Sequence, residues 1–353
     1  MAQKKKRLVE HFDLIIESGD FEAFKSVFDK CEIEATIPGG KTTQNAFSFK
    51  NLTPKHIQFL IDNGLEVNAD CGYGYPAVYF HASNKENLKC LIENGADINY
   101  VASDFRGSAL MGACEILDAE AVANLLEAGA SVNVKDVFGR SLLELTLQSC
   151  DNIYIPKAVR ISKMLLEAGC EKDETTKDLV KKIGKRFEFF RDSMSEEFAV
   201  SLSEALDELY KLFGVPPVPR KKTYDGKSPI SVSSTNWQDQ YNELWQMLVP
   251  GSGKAKTVQG EMIRIVGRVT HEILDNGSIN WGTDFKLMLK TYSGFLRLNK
   301  SLEPDLVEEA DKISKGIYAN SDKASLYRLS ELTVKWVLAN PDSIPLGKVE
   351  YNR

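Results

Sequence analysis

The sequence predicts an all-α protein: a solenoid of about five to six short helical repeats, then a compact α-helical C-terminal domain. One observation is a run that recurs four times, Asp62-Asn63-Gly64-Leu65-Glu66-Val67-Asn68, Glu93-Asn94-Gly95-Ala96-Asp97-Ile98-Asn99, Glu127-Ala128-Gly129-Ala130-Ser131-Val132-Asn133 and Glu167-Ala168-Gly169-Cys170-Glu171-Lys172-Asp173. Its glycines lie 31, 34 and 40 residues apart, a period that belongs to stacked repeats. The other observation is helical spacing of apolar residues after Trp237, with few β-type alternations.

Each repeat is predicted in the same way. An apolar helix precedes every glycine: Ile57-Leu60-Ile61, Leu88-Leu91-Ile92, Val122-Leu125-Leu126 and Ile161-Leu165-Leu166. Spacings of three and four put these on one face. The glycine then supplies the positive φ that ends a helix. A turn leads to a second helix start at Gly74-Tyr75-Pro76-Ala77-Val78-Tyr79, Arg106-Gly107-Ser108-Ala109-Leu110-Met111 and Gly139-Arg140-Ser141-Leu142-Leu143-Glu144. Val78, Leu110 and Leu143, 32 and 33 apart, are the inward residues of these helices. Leu14 to Cys31 reads as a divergent first unit, with Gly19-Asp20 between its helices. An insertion from Cys150 to Pro156 explains the longest spacing. A degenerate last unit runs from Leu179 to Gly214. Atypical end units are expected where one face meets solvent or another domain.

This pattern resembles the ankyrin repeat over about residues 8–175. The family's L-L-x-x-G-A-x-x-N is well kept. Its helix-start motif T-P-L-H is degraded to Pro76-Ala77-Val78-Tyr79, Ser108-Ala109-Leu110-Met111 and Ser141-Leu142-Leu143-Glu144. The resemblance implies binding through the inner helices and projecting fingers. The partner-binding candidates are therefore Tyr73, Tyr75, Tyr79, Tyr100, Asp104, Phe105, Arg106, Asp136, Phe138 and Arg140, because aromatics and arginine anchor protein interfaces. Phe105 and Phe138 could instead pack between fingers. Tyr73 and Tyr75, beside Gly72 and Gly74, are expected to be exposed.

Val215-Pro216-Pro217-Val218-Pro219-Arg220-Lys221-Lys222 is Pro-rich and basic, and reads as an extended connector. The predicted domains are 1–214, a connector over 215–235, and a helical domain over 236–353. Helices are expected at about 237–249, 257–275, 281–299, 303–318 and 323–339, as in Phe285-Met288-Leu289-Tyr292-Phe295.

Two near misses in this half carry no chemistry. Pro250-Gly251-Ser252-Gly253-Lys254-Ala255 is not a phosphate-binding P-loop. Leu248 stands where the first glycine belongs, Ala255 where Ser or Thr belongs, and the preceding segment is helical. His271-Glu272-Ile273-Leu274-Asp275 lacks the second histidine of the zinc motif H-E-x-x-H, and the chain has only 4 histidines. Glu261, Arg264, Arg268 and Glu272 form one stripe of alternating charge. As an ion-pair ladder each pair would contribute about 0.3–0.5 kcal/mol. As a polar cleft, these residues with Asn276 would surround a small ligand.

Composition narrows the function. Residues 1–180 hold 27 acidic against 19 basic residues, and the remainder 23 against 25. An acidic repeat half argues against nucleic acid and is compatible with a basic protein partner. No apolar stretch reaches the length of a membrane span. The basic Lys4-Lys5-Lys6-Arg7 cluster has no apolar run behind it, so no secretory signal is expected. The 6 cysteines form no C-x-x-C pair and read as reduced thiols of a cytoplasmic protein. No metal or cofactor is expected, nor any convergent catalytic set.

Thr257-Val258-Gln259-Gly260-Glu261 with Asn276-Gly277-Ser278-Ile279-Asn280-Trp281 resembles a segment of bacterial proteins over about residues 180–353. Ankyrin proteins of this kind look like immunity proteins encoded beside secreted polymorphic toxins. The resemblance implies a non-enzymatic antitoxin that occludes a basic toxin domain. The alternatives are an enzyme with a catalytic helical domain, to which the repeats recruit substrate, and a scaffold joining two host proteins.

Overall fold

The computed structural model describes residues 3–39, 42–102, 107–221, 224–320 and 322–353. These residues are mostly helical, with three short strands. None of their helices is long and apolar enough to cross a membrane. The chain forms two compact units: Met1–Lys185 with Glu197–Pro217, and Arg186–Glu196 with Val218–Arg353.

The first unit begins with β1 (Lys5–Arg7), α1 (Phe12–Glu17), α2 (Phe21–Lys30), β2 (Cys31–Gly39) and β3 (Thr42–Gln44). Gly19-Asp20 separates α1 from α2 as expected, and Asp20 caps α2 by accepting the Ala23 N–H. The sheet is an addition to the helical expectation. β2 pairs parallel with β1 and antiparallel with β3. The strand segment Cys31-Glu32-Ile33-Glu34-Ala35 alternates apolar and charged residues, the period of a half-buried strand. Phe12, Phe24 and Phe28 pack edge-on and tilted beside it, with ring centroids 5.5–6.0 Å apart.

Helices then recur: α3 (Pro54–Asp62), α4 (Ala77–His81), α5 (Lys85–Glu93), α6 (Ala109–Glu115), α7 (Ala119–Glu127), α8 (Leu142–Gln148) and α9 (Ile155–Glu167). The short helices α4, α6 and α8 pack in one row; α3 packs on α5, and α7 on α9. The recurring run explains itself here. Its glycine takes a left-handed φ at every copy, 97° at Gly64, 87° at Gly95, 86° at Gly129 and 100° at Gly169. The next N–H then reaches back five residues, as from Ala96 to Leu91 O at 3.0 Å, which closes the helix end. The asparagine bonds the following copy. Asn68 accepts the Asp97 N–H and donates to Gly95 O, and Asn99 accepts the Ser131 N–H.

The helix expected from Ile57-Leu60-Ile61 begins with a cap that the sequence reading did not name. In Thr53-Pro54-Lys55-His56, the His56 Nδ1 accepts the Thr53 N–H at 3.1 Å and lies 2.8 Å from the Thr53 hydroxyl. Proline at the first helical position completes the cap. Cys71 and Cys114 are buried, which pushes their thiols up to about 12, so they pack as small apolar groups.

After α10 (Glu174–Phe190) and α11 (Glu196–Phe213) come α12 (Trp237–Leu248), α13 (Val258–Leu274), α14 (Thr283–Phe295), α15 (Pro304–Asn320) and α16 (Lys323–Ala339). The segment 215–235 has no regular secondary structure among its described residues, and its residues from Val218 onward belong to the second unit. Ile230 is buried there, with its N–H on Pro341 O. α13 is the central helix, packed by α12, α14 and α16. It is buried almost all round from Val258 to Val266, which is why its apolar residues fill more than one stripe.

Candidate functional site

The fingers of the first unit are built on aspartates. Asp136 accepts the N–H groups of Phe138 at 3.0 Å and Arg140 at 2.8 Å, and the Arg140 Nε at 2.6 Å. Burial opposes ionisation of Asp136, but these bonds and the Arg140 charge outweigh it and hold the carboxyl below its ordinary value. Asp70 does the same for the preceding finger, accepting the N–H groups of Gly72 at 2.7 Å and Gly74 at 2.9 Å. Sequence reasoning missed Asp70. The signal was available: an aspartate opening a Gly-containing turn caps its own backbone.

These clamps hold Phe138 72% exposed and Tyr73 55% exposed. Phe138 is therefore not packed against neighbouring helices, and its ring lies 5.2 Å beneath the Arg140 guanidinium. Val101 and Val137 are exposed beside the fingers and were not singled out by sequence. The expected exposure of Tyr75 is corrected. It is 5% exposed and stacks on Tyr79 at 4.6 Å, because Tyr75 O accepts the Cys71 N–H and turns the side chain inward. Tyr79 is half-buried and donates to Gly107 O at the base of the next finger. Tyr100 is half-buried. Asp136 is a buried clamp whose carboxylate points into its own turn. Asp104, Phe105 and Arg106 lie outside the described residues.

The second unit holds a cavity of about 570 Å³. Arg264, Gly267, Arg268, His271 and Glu272 line it from one face of α13, at helix spacings of three and four. Asn276 and Asn280 follow on the next loop, and Phe189, Trp245 and Arg353 complete the wall. Gly267 is required where α12 crosses: a Cβ there would sit 2.2 Å from the Trp245 ring.

The ion-pair ladder is not what forms, and this corrects that expectation. Arg264 and Glu261 pair inside the unit, with Arg264 2% exposed. Glu261 also accepts the Tyr351 hydroxyl at 2.6 Å and the Ala255 N–H at 2.9 Å. Burial opposes its ionisation, and the bonds from Arg264, Tyr351 and Ala255 outweigh that, so its carboxyl titrates below the ordinary value. Glu272 turns away from Arg268 and caps the loop beyond the helix. It accepts Asn276 Nδ2 at 2.9 Å and the Asn280 N–H, which hold it ionised below the usual range. Arg268 has no hydrogen bond or ion pair among the described residues. Three of the four cleft residues, Arg264, Arg268 and Glu272, therefore share the cavity wall, and Glu261 holds Arg264 from behind.

The rejected phosphate loop has a physical reason in the structure. The Ala255 N–H is taken by Glu261, and Lys254 Nζ lies 5.2 Å over the Tyr351 ring. His271 Nδ1 is 2.9 Å from Asp275 in an exposed pair. Among the described residues no group of three or more His, Cys, Asp and Glu could hold a metal ion. No family model matches this chain, and no curated protein matches it.

Proposed function

We propose that the first unit is an ankyrin-repeat module that binds a protein, and that the whole chain acts as an immunity protein by occluding a basic toxin domain. The observation that carries the binding reading is the pair of aspartate-clamped fingers that hold Tyr73 and Phe138 in solvent. An aromatic side chain kept exposed by an ordered turn is pre-organised for an interface. The ankyrin reading is supported by the left-handed glycines that end the helices before each copy of the recurring run. The toxin reading is supported by the resemblance of residues 180–353 and by the acidic balance of residues 1–180.

The test uses the product of the neighbouring open reading frame as the partner. Co-expression should relieve its toxicity, and calorimetry should detect the complex. A Tyr73→Ala/Phe138→Ala double variant should keep its melting temperature and bind about thirtyfold more weakly. Association should slow as salt rises towards physiological strength, where the Debye length is about 8 Å. Unaltered binding by the double variant removes the finger model. A neighbouring product that neither binds nor is toxic removes the immunity reading.

A further inference from the structure

Arg264 is buried with Glu261 across its Nε and Nη2, and its remaining nitrogen, Nη1, is buried with no protein partner. One turn on, Arg268 reaches the same cavity with its guanidinium uncommitted. Arg353 lines the cavity as well, and its main-chain oxygen accepts Arg264 Nη2 at 2.7 Å. The acidic groups nearby are already engaged. Glu261 neutralises Arg264, Glu272 is saturated by Asn276 and Asn280, and His271 pairs with Asp275. Glu272 stays ionised on the same wall, so the three guanidiniums of Arg264, Arg268 and Arg353 face two carboxylates, Glu261 and Glu272, and one side-chain positive charge is left over.

We propose that this cavity binds a small organic phosphate, a monoester whose charged end meets Arg264, Arg268 and Arg353 and whose uncharged part lies against Phe189 and Trp245. A phosphate fits better than a carboxylate because guanidinium donors from three residues match three terminal oxygens, not two. An organic ester fits better than inorganic phosphate because about 570 Å³ is the size of a small-molecule site. One wall is apolar and aromatic: the Phe189 and Trp245 rings lie 11° from parallel at 6.2 Å. The loop Pro250–Gly253 completes that side, and it packs so closely that a Cβ on Gly251 would lie 2.7 Å from Phe189 O. This site goes beyond the protein-binding reading and does not depend on it.

The experiment titrates the full chain with AMP, ribose 5-phosphate, inorganic phosphate, adenosine and benzoate, followed by calorimetry and thermal shift. AMP should bind with a Kd between about 1 μM and 1 mM. Adenosine and benzoate should bind at least about tenfold more weakly, since they lack the phosphate. Arg268→Gln and Arg353→Gln should each weaken AMP about 10- to 100-fold with the melting temperature unchanged, because both side chains are exposed. Absence of AMP binding overturns the proposal. So does equal binding of benzoate or adenosine, or full affinity in both arginine variants. Ribose 5-phosphate or inorganic phosphate binding as tightly as AMP removes the role given to Phe189 and Trp245.

Discussion

Arg264 lies side-on to Glu261, three residues before it on α13, with Nε 2.9 Å from one carboxylate oxygen and Nη2 2.6 Å from the other. Both residues are buried, so the pair exists only because it is fully bonded. Glu261→Gln should destabilise the second unit by about 3–5 kcal/mol, because it strands a buried cation. Tyr351→Phe, which removes a donor to the carboxylate, should cost about 1.5–3 kcal/mol. Glu261→Leu/Arg264→Met should cost less than either single change. Urea unfolding of the four proteins checks the order, and a double variant worse than both singles would contradict it.

His81 predicts an acid sensitivity of the first unit. It is buried, its Nε2 lies 2.9 Å from Phe47 O, and its Nδ1 faces the Asn87 amide at 3.2 Å. Burial lowers its pKa from 6.5 to about 4, against a smaller opposing effect of the Phe47 bond. The unfolded chain takes up a proton as pH falls through 6.5, and the folded chain resists until about 4. Its contribution is complete above pH 6.5 and is lost on descending towards pH 4, by about 3 kcal/mol at most. Unfolding midpoints of the parent and His81→Gln across that window should differ in slope. Parallel curves would rule out this source.

Asp136 should act in a lower window. Its carboxyl titrates below the ordinary 3.8, so its stabilisation is present above 3.8 and is lost as pH falls through the lower folded value. At neutral pH, Asp136→Asn should cost about 1.5–3 kcal/mol of local stability, since the lost bonds include a charged one. Hydrogen exchange of the Phe138 and Arg140 amides reports this directly. Protection unchanged from the parent would mean that the turn holds without its clamp.

Gly267→Ala places a methyl group against Trp245 and the Tyr241 hydroxyl, 2.2 Å and 2.7 Å from their nearest atoms before relaxation. Overpacking of this kind costs about 1–3 kcal/mol. Tryptophan fluorescence and the melting temperature should change together. A neutral substitution would mean that α12 can move away from α13 freely.

Much of the first unit's helical pattern was legible because each residue of the recurring run has a local task. The glycine ends a helix and the asparagine reaches the next copy, so both leave a periodic trace. The helix before Gly64 was legible from Ile57-Leu60-Ile61, but its cap at Thr53 was not, because it depends on a side-chain contact with His56. The strand at Cys31–Gly39 carried its alternation openly, but its parallel partner Lys5–Arg7 lies far back in sequence, where no local pattern points to it. The charged stripe of α13 was correctly assigned to one face. Spacing could not say that part of this face turns inward, since that follows from helices packed around α13 from three sides. Nor could it separate exposed Tyr73 from buried Tyr75, two residues apart on one turn.

The asparagine contacts have a consequence for how such a chain can change length. Among the described residues, the Asn68 side chain bonds the Gly95–Asp97 segment and the Asn99 side chain bonds Ser131. Each of these copies thus recognises its immediate neighbour. Duplicating the copy that holds Asn68 or Asn99 would present each of these two asparagines with an equivalent partner. Gene-level slippage by one period can therefore lengthen the array without disturbing these contacts, whereas a slip by a few residues would leave these groups facing nothing.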